Sequence, residues 1–287
     1  MYFLNIEFNL FMIADKKNMG YNDIQDYKYS DWLLVKIILA KIFKMIIPRT
    51  LIYRVSLLYM RLFNNNSYQA HQDYISTDYR QKSVHIMEAL NYVKVSKLPK
   101  VFFEFGCHSG RTFSSAVRAS KELGIFDECE FFAFDSFEGL PETTKDDGIF
   151  KKGTFSTGVN EFKSAVKKQA DFSIKDKNII IGFYSDSLTE DLQTKLPSVG
   201  VVHIDVDLYS SAIEVLRFIR PLLVSGSVLI FDDFYCFPAG SDQGENKALN
   251  EFLIENEQLK IHEWKSYSSF GKSFFIVDTS DKKSINE

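Results

Sequence analysis

Four aspartates stand in two short stretches whose spacing could do chemistry. "VVHIDVDLYSS" carries Asp205 and Asp207, and "LIFDDF" carries Asp232 and Asp233. Each set follows an apolar run of the kind that forms a buried strand. Acids at the end of a buried strand cost free energy unless a cation or a proton compensates them. If the two strands are parallel neighbours, four carboxylates lie within several ångströms and repel one another. No lysine or arginine close in sequence stands out as their partner. A hard divalent cation bound by oxygen ligands, with Mg²⁺ first among them, resolves the conflict. The plainer alternative has one acid capping the helix that begins near Ser210 and the others in solvent.

A second group lies in "EFGCHSGRT", which has the form E-x-G-x-x-x-G-x-T from Glu104 to Thr112. Gly106 and Gly110 allow a sharp turn and close approach of a ligand to the backbone. The helix that follows offers free N–H groups and a positive dipole end. The loop is not the G-x-G-x-x-G dinucleotide fingerprint. Glu104 beside it suits a ligand with a positive amino group, and S-adenosylmethionine is such a ligand. A purely structural strand-to-helix turn is the alternative. One βα unit later, "FFAFDSFEGLPE" brings Asp135 and Ser136 to a strand end, where an acid can accept both ribose hydroxyls or cap a turn. "YSDSL" adds Asp186, placed either at the adenine amino group or at a helix N-cap. His108 is a second-rank candidate base on an exposed loop, and His203 reads as core.

These residues need a scaffold that gathers strand ends. From residue 100 the chain alternates apolar strands with helices and closes with "KIHEWKSYSSFGKSFFIVD", two strands joined around Gly271. The expectation is an α/β fold with a doubly wound, mostly parallel sheet and an antiparallel C-terminal hairpin. Ligands of such sheets bind at the carboxyl ends of the strands, where every group above lies.

Residues 1–98 differ, and the chain divides into a helical N-terminal extension (1–98) and a catalytic domain (99–287). "DWLLVKIILAKIFKMII" sets Lys36, Lys41 and Lys44 on one arc of an amphipathic helix over 32–47, with Asp31 as its N-cap. Its lysines are too frequent for a membrane span. Three roles compete: a lid, a homo-oligomer interface, or peripheral contact with an anionic membrane surface. "FNNNSYQAHQDYISTDYR" reads as a polar connector before a helix over 81–95.

Composition narrows the classes further. The 287 residues are 45% hydrophobic with a net charge of −4, which gives no electrostatic case for nucleic acid. The 27 Phe read as core. Three scattered cysteines and no basic leader point to a reducing cytoplasm.

Taken together, "FDSFEGLPE", "HIDVDLYSS", "LIFDDF", "GENKALNEFL" and "EFGCHSGRT" resemble the macrocin O-methyltransferase (TylF/MycF/NovP) family of class I S-adenosylmethionine-dependent methyltransferases, over roughly residues 80–277. The resemblance implies methyl transfer to a hydroxyl, usually on a sugar, with Mg²⁺. It assigns Glu104, Gly106 and Gly110 to the cofactor loop, with Thr112 closing the motif. It assigns Asp135 to the ribose, with Ser136 beside it. It implies Asp205, Asp232 and Asp233 as metal ligands, and Asp205 or Asp207 takes the hydroxyl proton. The acceptor would be a glycan or small molecule. Because D-x-D also holds a metal and a nucleotide diphosphate, a glycosyltransferase using a nucleotide sugar is the alternative.

Overall fold

Strand β1 (Val101–Phe105) is apolar but for Glu104, as suits a central parallel strand, and every one of its residues is buried. In the computed structural model it pairs in parallel with β2 (Glu130–Asp135) on one side and β4 (Val199–Ile204) on the other. Beyond β2 lies β3 (Ile179–Ile181), and beyond β4 lies β5 (Leu223–Phe231), both parallel. The hairpin of β6 (Leu259–Tyr267) and β7 (Gly271–Asp278) inserts β7 antiparallel against β5. The strand order is β3-β2-β1-β4-β5-β7-β6. The structure describes residues 49–280, except 64, 145–146, 148–149 and 238–241. The basic amphipathic helix expected over 32–47 lies outside them. No helix among the described residues is long and apolar enough to cross a membrane.

Helices cover both faces of the sheet. The chain first forms α1 (Arg49–Phe63) and α2 (Asn65–Val95). Then come α3 (Arg111–Glu122), α4 (Val159–Ala170), two single turns α5 (Tyr184–Ser187) and α6 (Glu190–Gln193), α7 (Tyr209–Ile219) and α8 (Gly244–Glu255). The chain divides into two units, 1–74 and 75–287. In the first, α1 exposes Val55, Leu58 and Leu62. In the second, Ile86, Ala89, Leu90 and Val93 of α2 recur at helical spacing and pack with α3 and α4 against Phe102, Val201, Val228 and Ile230. The other face of the sheet packs Phe103, Phe105, Ile204 and Phe231 against α7 and α8. The core is phenylalanine-rich: Phe102, Phe103, Phe105, Phe113, Phe134, Phe162, Phe231 and Phe252 are fully buried, while Phe155 and Phe270 are exposed.

The expected connector is wrong in kind. "NNSYQAHQDYISTDYR" is helical, and α2 runs without a break to Val95. It lacks an apolar stripe, which is why it reads as a linker. Yet no Gly or Pro occurs between Pro48 and Pro99 to stop a helix.

Register sets up the site. Phe105 pairs with Phe134 on β2 and with Ile204 on β4, and Ile204 pairs with Phe231 on β5. The next residue on each chain is therefore at one level: Asp135, Gly106, Asp205 and Asp232.

Candidate active site

The loop after β1 is shaped by its two glycines. Gly106 has φ +84°, and a Cβ there would lie 1.7 Å from the Asp205 carbonyl oxygen. Gly110 has φ +70°, and its Cβ would meet Val166 and Phe162 of α4 within 3 Å. Gly110 then N-caps α3 with no side chain over the first turn, leaving the helix N–H groups facing the loop. Thr112 sits in that first turn, partly exposed.

Asp135 closes the other wall. One carboxylate oxygen accepts the His108 N–H at 2.9 Å and the other accepts the Phe137 N–H at 2.6 Å. A carboxylate offers about four lone-pair positions, so two remain for ribose hydroxyls. Ser136 donates to the Gly139 carbonyl at 2.9 Å and accepts the Glu138 N–H at 3.1 Å. "FDSFEGLPE" is thus a tight turn, and a Cβ on Gly139 would overlap the Thr154 carbonyl at 2.5 Å. The His108 imidazole is exposed and meets the Thr157 hydroxyl at 2.6 Å. Asp186 lies exposed inside α5, and the next turn is capped by Thr189 instead.

Glu104 is buried on the face of β1 that α2 covers, with its carboxyl 3.5 Å from His203 Nδ1 on β4. His203 Nε2 in turn lies 3.9 Å from Asp232. Burial raises the Glu104 pKa, and nearby His203 only partly offsets it. His203 is fully buried, as core.

The acids do converge. Carboxylate oxygens of Asp205, Asp232 and Asp233 all lie within 4.8 Å of one another. Strand β4 ends at Ile204, so Asp205 and Asp207 belong to the turn beyond it, where Asp207 takes φ +59°. Asp207 stands close enough to Asp205 and Asp233 to feel their charge. Burial, then mutual repulsion, pushes the pKa values of Asp205, Asp207 and Asp233 well up. Three hard oxygen donors this close, short of positive charge, fit a divalent cation such as Mg²⁺.

Three groups escaped sequence reasoning. Glu245, in the first turn of α8, is fully buried and accepts the Val206 N–H at 3.3 Å and the Asp233 N–H at 3.0 Å. It ties the two acid turns together. The Tyr267 hydroxyl donates to the Phe231 carbonyl at 2.9 Å and lies 3.3 Å from Asp232 Oδ1. The third is a cation. Lys82 of α2 reaches Asp232 Oδ2 at 2.6 Å and Asp78 at 3.2 Å. Burial opposes its charge, but Asp232, Asp205 and Asp78 outweigh that and raise its pKa. Among the described residues no lysine close in sequence partners the acids, as expected, and their cation comes from far along the chain. The partner is 150 residues away in sequence. Its signal was a lysine one turn ahead of Ile86 on the apolar stripe of α2.

A family model described as macrocin-O-methyltransferase (TylF) matches residues 74–260. The solved structure of the O-methyltransferase NovP is similar over 68% of this chain and 79% of that one, at 17% identity and a TM-score of 0.53. That of CalS11, a calicheamicin methyltransferase, aligns over 90% and 99%, at 18% identity and a TM-score of 0.48. No curated protein matches the chain by sequence.

Proposed function

The chain belongs to the macrocin-O-methyltransferase (TylF) family and is an O-methyltransferase, and on that premise we propose that it moves a methyl group from S-adenosylmethionine to a sugar hydroxyl with the help of a divalent cation. One observation carries the reading. The glycine loop and the acid cluster share a wall, because the Gly106 backbone packs directly on the Asp205 carbonyl. A cofactor in the loop would have its neighbour, the acceptor, at the carboxylates.

S-adenosylmethionine supplies an electrophilic methyl group on its sulfonium. The loop from Gly106 to Gly110, with the N–H groups of α3, would hold its amino-acid end, and Asp135 its ribose. Ser136 keeps the Asp135 turn closed, while Asp186 stands by the third strand end for the adenine. Asp205, Asp232 and Asp233 would hold Mg²⁺, which lowers the pKa of a bound hydroxyl. The acceptor hydroxyl would lose its proton to a carboxylate as its oxygen bonds the methyl carbon and the methyl–sulfur bond breaks, leaving S-adenosylhomocysteine. Asp205 is the first choice for that base. Asp207 is the second, because it is buried beside Asp205 and feels its charge. Glu245 holds both acid turns in register, and much of the rate would come from this positioning.

The family resemblance favours a sugar or sugar-bearing metabolite as acceptor. Neither the family nor the fold supports the D-x-D glycosyltransferase alternative. Calorimetry separates the two: S-adenosylhomocysteine should bind, and a nucleotide sugar with its transferable sugar should not be cleaved. Hydrolysis or transfer of that sugar, without S-adenosylhomocysteine binding, would reverse the assignment.

A further inference from the structure

Lys82 sits where the acid cluster is short of positive charge. Its ammonium lies 2.6 Å from Asp232 Oδ2, while the other oxygen of Asp232 already has the Tyr267 hydroxyl at 3.3 Å. Both Asp232 oxygens therefore have protein partners. The same carboxylate belongs to the trio whose oxygens lie within 4.8 Å of one another. A divalent ion seated on that trio and an ammonium on Asp232 would be close like charges, which repel strongly at a half-buried site. The lysine also has somewhere else to go. Asp78 lies one helical turn earlier on α2, already 3.2 Å from the ammonium. It is not among the clustered acids, and its side chain is 23% exposed.

We propose that Lys82 is a resident counter-cation of the acid cluster that exchanges with the divalent ion, holding Asp232 before the ion binds and withdrawing to Asp78 when it does. This makes Lys82 a positioning residue that sets the cluster's affinity for metal. Without it, the metal-free carboxylates would face one another uncompensated, and breaking a buried pair by removing one partner is costly. With it, the cation must displace an ammonium, so affinity is weaker than three carboxylates alone would give. The α2 helix thereby carries the lysine and its second berth, Asp78, on one face, four residues apart.

The inference rests on the proposed cation role of the cluster, and the test separates the two. Mn²⁺ binding is measured by electron paramagnetic resonance on the full chain, for the wild type, Lys82→Met and Asp78→Asn. Lys82→Met should bind Mn²⁺ about tenfold more tightly or better, as loss of a nearby positive charge requires. Asp78→Asn should bind more weakly than wild type, because the displaced ammonium loses its second berth. Equal or weaker binding by Lys82→Met overturns the exchange and leaves the metal site standing. No Mn²⁺ binding by any of the three proteins overturns both. A second readout needs no variant. Acetylation of wild-type lysines by acetic anhydride, followed by mass spectrometry, should label Lys82 several-fold faster with Mg²⁺ present, relative to the exposed Lys195. An unchanged Lys82 rate under saturating Mg²⁺ contradicts the exchange even if Lys82→Met fails to fold.

Discussion

Two halves of one sheet edge differ in who satisfies their polar groups. After β1 and β2, each oxygen of Asp135 takes a backbone N–H, and Ser136 is paired both ways within its own turn. After β4 and β5, carboxylates face carboxylates, and burial with repulsion drives the pKa values of Asp205, Asp207, Asp233 and Glu245 upward. The loop half is complete on its own and preforms a cradle. The acid half holds unbalanced charge, with Lys82 as its cation among the described residues. Binding and protons should therefore act mainly on the second half.

The sharpest way to break the loop half is Gly106→Ala. A left-handed φ costs an L-residue about 1–2 kcal/mol. The carbonyl overlap at 1.7 Å adds more, since the Asp205 backbone would have to move. We expect a total loss of about 4 kcal/mol or more in denaturant unfolding, or no soluble protein. A fully stable Gly106→Ala would mean the two walls do not touch.

Acid sensitivity should come instead from His85, since carboxylates whose pKa values rise on folding gain stability as pH falls. His85 on α2 is buried, stacked on Tyr267 at 4.6 Å and beside Trp264. Around it stand Glu88 on its own helix, Lys265 on β6 and His203 on β4. Burial is the chief cause that lowers its pKa from 6.5 to about 4, with Lys265 and His203 adding and Glu88 opposing. The unfolded imidazole takes up a proton first as pH falls. Its contribution is thus complete above about pH 6.5 and lost on descent to about pH 4, a swing of about 3 kcal/mol at most. His85→Phe keeps the stacking and should flatten stability over that window. An unchanged pH profile would place the sensitivity elsewhere.

Mg²⁺ itself should distinguish the halves. At a hundred times its dissociation constant it should add about 2.7 kcal/mol to wild-type stability by mass action. Asp233→Ala should abolish that gain, whereas Asp135→Ala should leave it intact. Equal gains in all three proteins would detach the ion from the cluster.

The smallest effect is expected from His108→Ala. The loop uses the His108 backbone N–H, and its imidazole is exposed. Stability should change by less than about 0.5 kcal/mol, as for ordinary surface positions. Methyl transfer should stay within about threefold. A hundredfold loss would return His108 to the role of base.

Sequence reading fared differently on the two halves, for a physical reason. The loop half is local. Asp135 and Ser136 make their contacts close in the chain or one strand away, and Gly106 and Gly110 are legible as glycines whatever they pack on, so short motifs carry them. The acids were also legible, because Asp205 and Asp232 follow apolar runs whose alignment depends on parallel register. What balances them was not. Lys82 and Tyr267 come from elements 150 and 35 residues from Asp232. Glu245 looks like an ordinary first-turn acid until its two backbone donors are seen. The helical course of α2 through a polar stretch was signalled by missing breakers, which is weaker than an apolar stripe.

The central claim is that carboxylates on the acid half, next to a cofactor loop, drive methyl transfer to a hydroxyl. The direct measurement is methyl transfer from S-adenosylmethionine to a panel of nucleotide sugars and glycans, comparing wild type with the Asp205→Ala/Asp232→Ala double variant. Removing metal-based charge stabilisation worth several kcal/mol should cut the rate at least about a hundredfold. Binding of S-adenosylhomocysteine should persist in the double variant, because the loop half does not use those side chains. Full methyl transfer by the double variant would contradict the account.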